Sequence, residues 1–104
     1  MPNSKYSVSV DIAVKSKMAN HTKFLANVSV TAAKRLRDAY YSALKSLETN
    51  PERCPPYYPN NEIEEELRFL LFSKRYRVVF EIVGKKVYVY DVQDARQDTD
   101  KNLV

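Results

Sequence analysis

The sequence predicts an α+β domain of element order β-α-α-β-β-β, an antiparallel meander sheet with two helices packed on one face. Three observations carry this prediction. Residues 66–98 read as three consecutive strands dominated by β-branched and aromatic side chains, which suit a pleated, half-buried surface. Two stretches between residues 15 and 48 repeat apolar residues at three- and four-residue spacing, the helical period. A proline-rich loop separates the two patterns. A chain of 104 residues suits one domain, 1–104, with one core. Its 44% hydrophobic and 29% charged content is that of a folded domain rather than a disordered one.

Taken in order, residues 6–14 alternate, with Tyr6, Val8, Val10 and Ile12 on one side and Ser7, Ser9 and Asp11 on the other, so they read as a first strand. Met18, His21 or Thr22, Leu25 and Val28 then mark a short helix over 15–27. Ser29 or Thr31 is placed to cap a second helix over 31–48, whose apolar stripe is Ala33, Leu36, Tyr40, Ala43, Leu44 and Leu47. Asn50-Pro51 ends that helix. Pro51, Pro55, Pro56 and Pro59 stiffen a loop over 50–61 that has no place inside a sheet. The meander follows as strands at 67–72, 76–83 and 86–92. A tight Ser-Lys-Arg connection joins the first two, and Gly84, the sole glycine, turns the second hairpin. Alternation assigns Phe69, Leu71, Val78, Phe80, Ile82, Val87 and Val89 to the helix side. Arg68, Leu70, Phe72, Arg77, Val79, Glu81, Tyr88 and Tyr90 fall on the outer side, a face apolar enough to expect a partner over part of it.

The formal charge is +4, and the basic excess lies in residues 1–48, where Asp11, Asp38 and Glu48 are the only acids. Such a chain suits an acidic protein or nucleic-acid partner without requiring either. One cysteine, Cys54, excludes an internal disulfide and points to a reducing, cytoplasmic setting. No apolar run approaches the roughly 18 residues of a membrane span, so no membrane partner is expected.

Three arginines are candidates for convergence at one end of the outer face: Arg68 on the first meander strand, Arg77 on the second and Arg96 past the third. Guanidinium forks suit phosphate oxygens and stabilise charge that develops during phosphoryl transfer. The alternative is that Arg68 pairs with Glu81 or the acidic run 62–66, and Arg96 with Asp94 or Asp98. Lys74, Arg75, Tyr88 and Tyr90 border the proposed cluster and are the candidates for substrate contact, although buried or interface tyrosines are commonplace. His21, the only histidine, sits beside Phe24 and Leu25 and reads as structural. With one His and one Cys, neither a metal site nor a cofactor is expected.

Several stretches follow one another in a telling order. Ala33-Lys34-Arg35 leads through Leu44 and Leu47 to Asn50-Pro51-Glu52-Arg53-Cys54-Pro55. Arg75-Tyr76-Arg77-Val78-Val79-Phe80-Glu81-Ile82 comes next, and Val87-Tyr88-Val89 runs into Asp94-Ala95-Arg96-Gln97-Asp98. Over nearly the whole chain this resembles the RelE/ParE superfamily of bacterial type II toxin–antitoxin toxins. The resemblance implies a small toxin neutralised by an antitoxin that wraps around it. RelE-like members cleave messenger RNA on the ribosome without metal, using basic sheet residues and a C-terminal Tyr or a His. ParE-like members poison DNA gyrase. By position, Arg77 and Arg96 match the family arginines, and Arg68 stands where RelE-like members carry the first of two strand lysines. Leu70 stands at the second, and the tail around Asn102 has no Tyr or His. The resemblance therefore implies, first, a ribosome-dependent endonuclease in which Arg77 and Arg96 stabilise the transition state. Arg68 would hold the scissile phosphate, and Tyr88 or Tyr90 would carry the proton. The alternatives are a gyrase inhibitor using the same face, or a degenerate toxin kept as an antitoxin-binding module.

Overall fold

The first strand is shorter than its alternation predicts. The computed structural model describes residues 5–58 and 66–94. In it β1 is Ser7–Val10. Asp11 is the cap of the first helix, its carboxylate accepting from the Ala13 N–H at 2.9 Å. The helix α1 therefore spans Ile12–Ala26 and absorbs residues expected to be strand. An aspartate ahead of an apolar run satisfies an N–H that the first helical turn leaves without a partner, and here that outweighs the continuing period of two. Ile12 is 78% exposed as a result. Val28 is likewise exposed rather than part of the helical stripe.

Ser29 caps α2, Val30–Ser46, by accepting from Ala32 N–H. The stripe is as expected, with Ala33, Leu36, Tyr40, Ala43 and Leu47 buried. Asn50 takes the left-handed conformation at φ 55°, and Pro51 opens a short 3-10 turn, Pro51–Arg53. Arg53 then folds back so that its guanidinium donates to the carbonyls of Thr49 and Asn50, each at 3.0 Å. The cation meets the negative end of the helix and satisfies acceptors left over there. That is the physical content of the Asn-Pro-Glu-Arg exit.

Two residues of the proline loop do join the sheet. Strand β2, Pro56–Tyr57, pairs with β3, Leu67–Phe72, at the sheet edge, where a proline removes no ladder hydrogen bond. Strands β4, Tyr76–Val83, and β5, Lys86–Asp94, complete the meander. The sheet is five-stranded in the order β1-β5-β4-β3-β2 and mixed, because β1 runs parallel to β5. Both helices lie on one face. Their Val14, Met18, Leu36, Tyr40, Ala43 and Leu47 form one cluster with Phe72, Tyr76, Val78, Phe80, Val87, Val89 and Val92.

The register corrects the face assignment of β3. Arg68 pairs with Phe80, Leu70 with Val78 and Phe72 with Tyr76. Directly paired residues share a face. Arg68, Leu70 and Phe72 therefore look toward the helices, and Phe69 and Leu71 look away. On β5 the pairing passes from Phe80↔Val89 to Val79↔Asp91, skipping Tyr90. This bulge inserts one residue and reverses the alternation beyond it. Val92 enters the core, while Asp91 and Gln93 join the outer face. Val83, Lys86 and Tyr88 remain outside, as does Val79, although Val79 is only 3% exposed.

Candidate functional site

The outer face gathers a polar cluster around Arg77. Arg77 stands between Leu71 on β3 and Gln93 on β5. Its guanidinium lies over the Tyr57 ring at 5.0 Å and the Phe69 ring at 5.9 Å, a cation held against two π faces. Strand β2 is what delivers Tyr57, since pairing with Leu67 turns its ring to this side. Arg77 Nε donates to Gln93 Oε1 at 2.7 Å, and the Tyr57 hydroxyl donates to the same oxygen at 3.3 Å. Gln93 Nε2 in turn donates to Asp91 Oδ2 at 3.1 Å. One amide thus faces two donors with its oxygen and an acceptor with its nitrogen.

Asp91 closes the cluster. Its Oδ1 accepts from Lys17 Nζ at 2.9 Å and from the Val92 N–H at 2.8 Å. Lys17 comes from α1 in the opposite layer, and it reaches Asp91 because β1 ends at Val10, beside Val89. Burial pushes the Asp91 carboxyl up. The hydrogen bonds from Lys17 and Gln93, the Lys17 charge and the Val92 N–H outweigh it and hold the group below its ordinary 3.8. Asp91 is therefore a fixed anion near neutral pH and unsuited to donating a proton.

The expected arginine triad does not assemble on this face. Arg68 lies on the helix side, where its Nη1 donates to the Cys54 carbonyl at 2.7 Å and the Glu52 carbonyl at 3.2 Å. It ties the loop after α2 to the sheet and pairs with neither Glu81 nor, by these bonds, any carboxylate. Arg96 lies outside the described residues. Lys74 sits in the β3–β4 turn at φ 67°. Arg75 leaves that turn to pair with Asp94 at 3.2 Å and to cover the Tyr76 ring. Arg75 shares a cavity of about 400 Å³ with Lys17, Asn20, His21 and Phe24, apart from the Arg77 platform. His21 meets Tyr76 edge-on at 5.8 Å. Tyr88 and Tyr90 are on the outer face. Tyr90 donates to Glu81 Oε1 at 2.8 Å, and Tyr88 stands opposite the same glutamate.

A family model for the ParE toxin of the type II toxin–antitoxin system parDE matches residues 11–99. The chain belongs to this family. It is accordingly a type II toxin, and a cognate antitoxin is its implied partner. None of the curated proteins compared with it matches. No helix among the described residues is long and apolar enough to cross a membrane. In this ParE-family chain the match begins at Asp11, the cap of α1, and takes in every residue of the Arg77 cluster.

Of that cluster, alternation singled out Arg77 alone; it placed Phe69 on the opposite face and did not mark Tyr57, Gln93, Asp91 or Lys17. Gln93 and Asp91 depend on the bulge at Tyr90, and Tyr57 depends on a two-residue edge strand.

Proposed function

We propose that this toxin acts by binding DNA gyrase and inhibiting it, with Arg77 on its aromatic platform as a principal contact. The observation that carries this reading is the register of Arg68. Cleavage at a ribose 2′-OH needs cations around the phosphorane together with a base and an acid. Arg68 is spent on loop carbonyls on the helix side, the only histidine packs against Tyr76, and Asp91 stays ionised. What the outer face offers is a rigid cation flanked by aromatic rings, the composition of a binding hot spot. Membership of the ParE family supports the same branch.

The antitoxin is proposed to neutralise the protein with an acidic, amphipathic segment that orders on binding. The groove between α1 and α2, about 490 Å³, supports this. Lys15 and Arg37 rim it, and Met18, Tyr40 and Leu44 provide apolar surface. Opposite charges speed encounter, so the association rate should fall as salt is raised.

The branch is tested by presenting purified toxin to gyrase in a supercoiling assay and, in parallel, to translating ribosomes with primer extension on the message. Inhibited supercoiling without new message ends is expected. Arg77→Ala should weaken that inhibition by about 30-fold or more, as removal of a hot-spot arginine does. Message cuts that vanish with Arg77→Ala, with supercoiling untouched, would assign the chain to ribosome-dependent mRNA cleavage instead.

A further inference from the structure

We propose that Gln93 is the positioning residue for Arg77, and that the Asp91–Lys17 pair fixes Gln93 in turn, so that the contact surface is set from the helical layer. The inference rests on Arg77 being a target contact, as above.

The geometry gives each member one job. A guanidinium lying over two rings still turns about its long axis, because π faces hold a cation without fixing its edge. The hydrogen bond from Nε to Gln93 Oε1, at 2.7 Å, aligns the Nε edge. The same oxygen takes the Tyr57 hydroxyl at 3.3 Å, so one atom aligns the cation and the ring beneath it. An amide left to itself can rotate by 180° and offer nitrogen in place of oxygen. Asp91 prevents this, because its Oδ2 accepts from Nε2 at 3.1 Å and a flipped amide would set oxygen against the carboxylate. Asp91 is held in place by Lys17 and by the Val92 N–H. The chain of contacts is half-buried at Arg77, Tyr57, Asp91 and Gln93, where water competes less well for these bonds.

The test uses the full-length protein and two readouts. Growth arrest on graded induction measures toxicity whatever the target. The Arg77 Nε–H signal in a ¹⁵N correlation spectrum measures the hydrogen bond itself. Gln93→Leu keeps the side-chain volume and removes both polar ends. It should abolish exchange protection of the Arg77 Nε–H and weaken toxicity by about tenfold or more, the usual worth of a bond to a charged group. In an Arg77→Ala background it should have no further effect. Asp91→Asn combined with Gln93→Glu reverses donor and acceptor at equal total charge. It should restore the Nε–H signal and most of the toxicity that Gln93→Leu removes. Full toxicity in a folded Gln93→Leu protein, or an equal loss with and without Arg77, overturns the proposal. Both readouts stand if the target proves to be the ribosome, so a failed supercoiling assay leaves them decisive.

Discussion

Arg68→Met separates a structural arginine from a functional one. Methionine keeps an apolar stem beside Phe80 while removing the guanidinium that donates to Cys54 O at 2.7 Å and Glu52 O at 3.2 Å. A hydrogen bond from a charged donor contributes about 1.5–3 kcal/mol net, whereas an exposed one is largely replaced by water. The Cys54 bond is the part-buried member and the Glu52 bond the exposed one, so the loss should be about 2–3 kcal/mol. For a domain of this size each kcal/mol moves Tm by about 4–8 °C, which gives a fall of about 8–24 °C. Thermal unfolding followed by circular dichroism measures it. Growth arrest should persist at temperatures where the variant is still folded. An unchanged Tm together with lost toxicity would refute the reasoning and return Arg68 to the target-facing site.

Other perturbations probe the core, the turn and the Asp91 cluster. Phe80→Ala should cost about 3–5 kcal/mol and Leu36→Ala about 2–5 in urea denaturation, because both leave cavities in the one core cluster. Lys34→Ala, on the exposed side of α2, should change stability by no more than about 0.5 kcal/mol. Gly84→Ala should cost about 1–2 kcal/mol from backbone strain at φ +60°, since an added Cβ meets nothing within 4 Å. Asp91 has a folded pKa below its ordinary 3.8, so the folded state binds fewer protons than the unfolded state in that range. Its contribution is fully present above 3.8 and is lost as pH falls through the lower folded value. Urea midpoints measured from about pH 6 down to about pH 2.5 should therefore fall less steeply for Asp91→Asn than for the wild type.

Periodicity carried α2, where one face of the element is polar along its whole length. The α2 stripe, flanked by Lys34, Arg35, Asp38 and Lys45, has a single way to bury itself, and its spacing names the buried set, with Leu44 only partly buried. Leu67–Phe72 is different. Its residues are apolar on both sides except for Arg68, so alternation does not say which side faces the core. Treating the arginine as a solvent residue reversed the strand. Its long stem lies along the sheet while its head reaches backbone carbonyls, a placement decided by the loop after α2 and not by β3 itself. The candidate site was legible at Arg77 and obscure around it, because a bulge changes facing without changing composition. Residues beyond the skipped Tyr90 can be assigned only once the pairing is known.

The parallel seam between β1 and β5 has a consequence for how the protein is made. Ser7–Val10 emerges from the ribosome early, yet its hydrogen-bonding partner is Lys86–Asp94. At 5–20 residues per second the early strand waits about 4–15 s for the late one. α1 and α2 emerge within that interval, but Val87, Val89 and Val92, which close the core beneath them, do not. Arg77 meanwhile lacks Gln93, its hydrogen-bond acceptor. The nascent chain therefore has no complete sheet until β5 is out, and a message broken before that point yields a fragment without one.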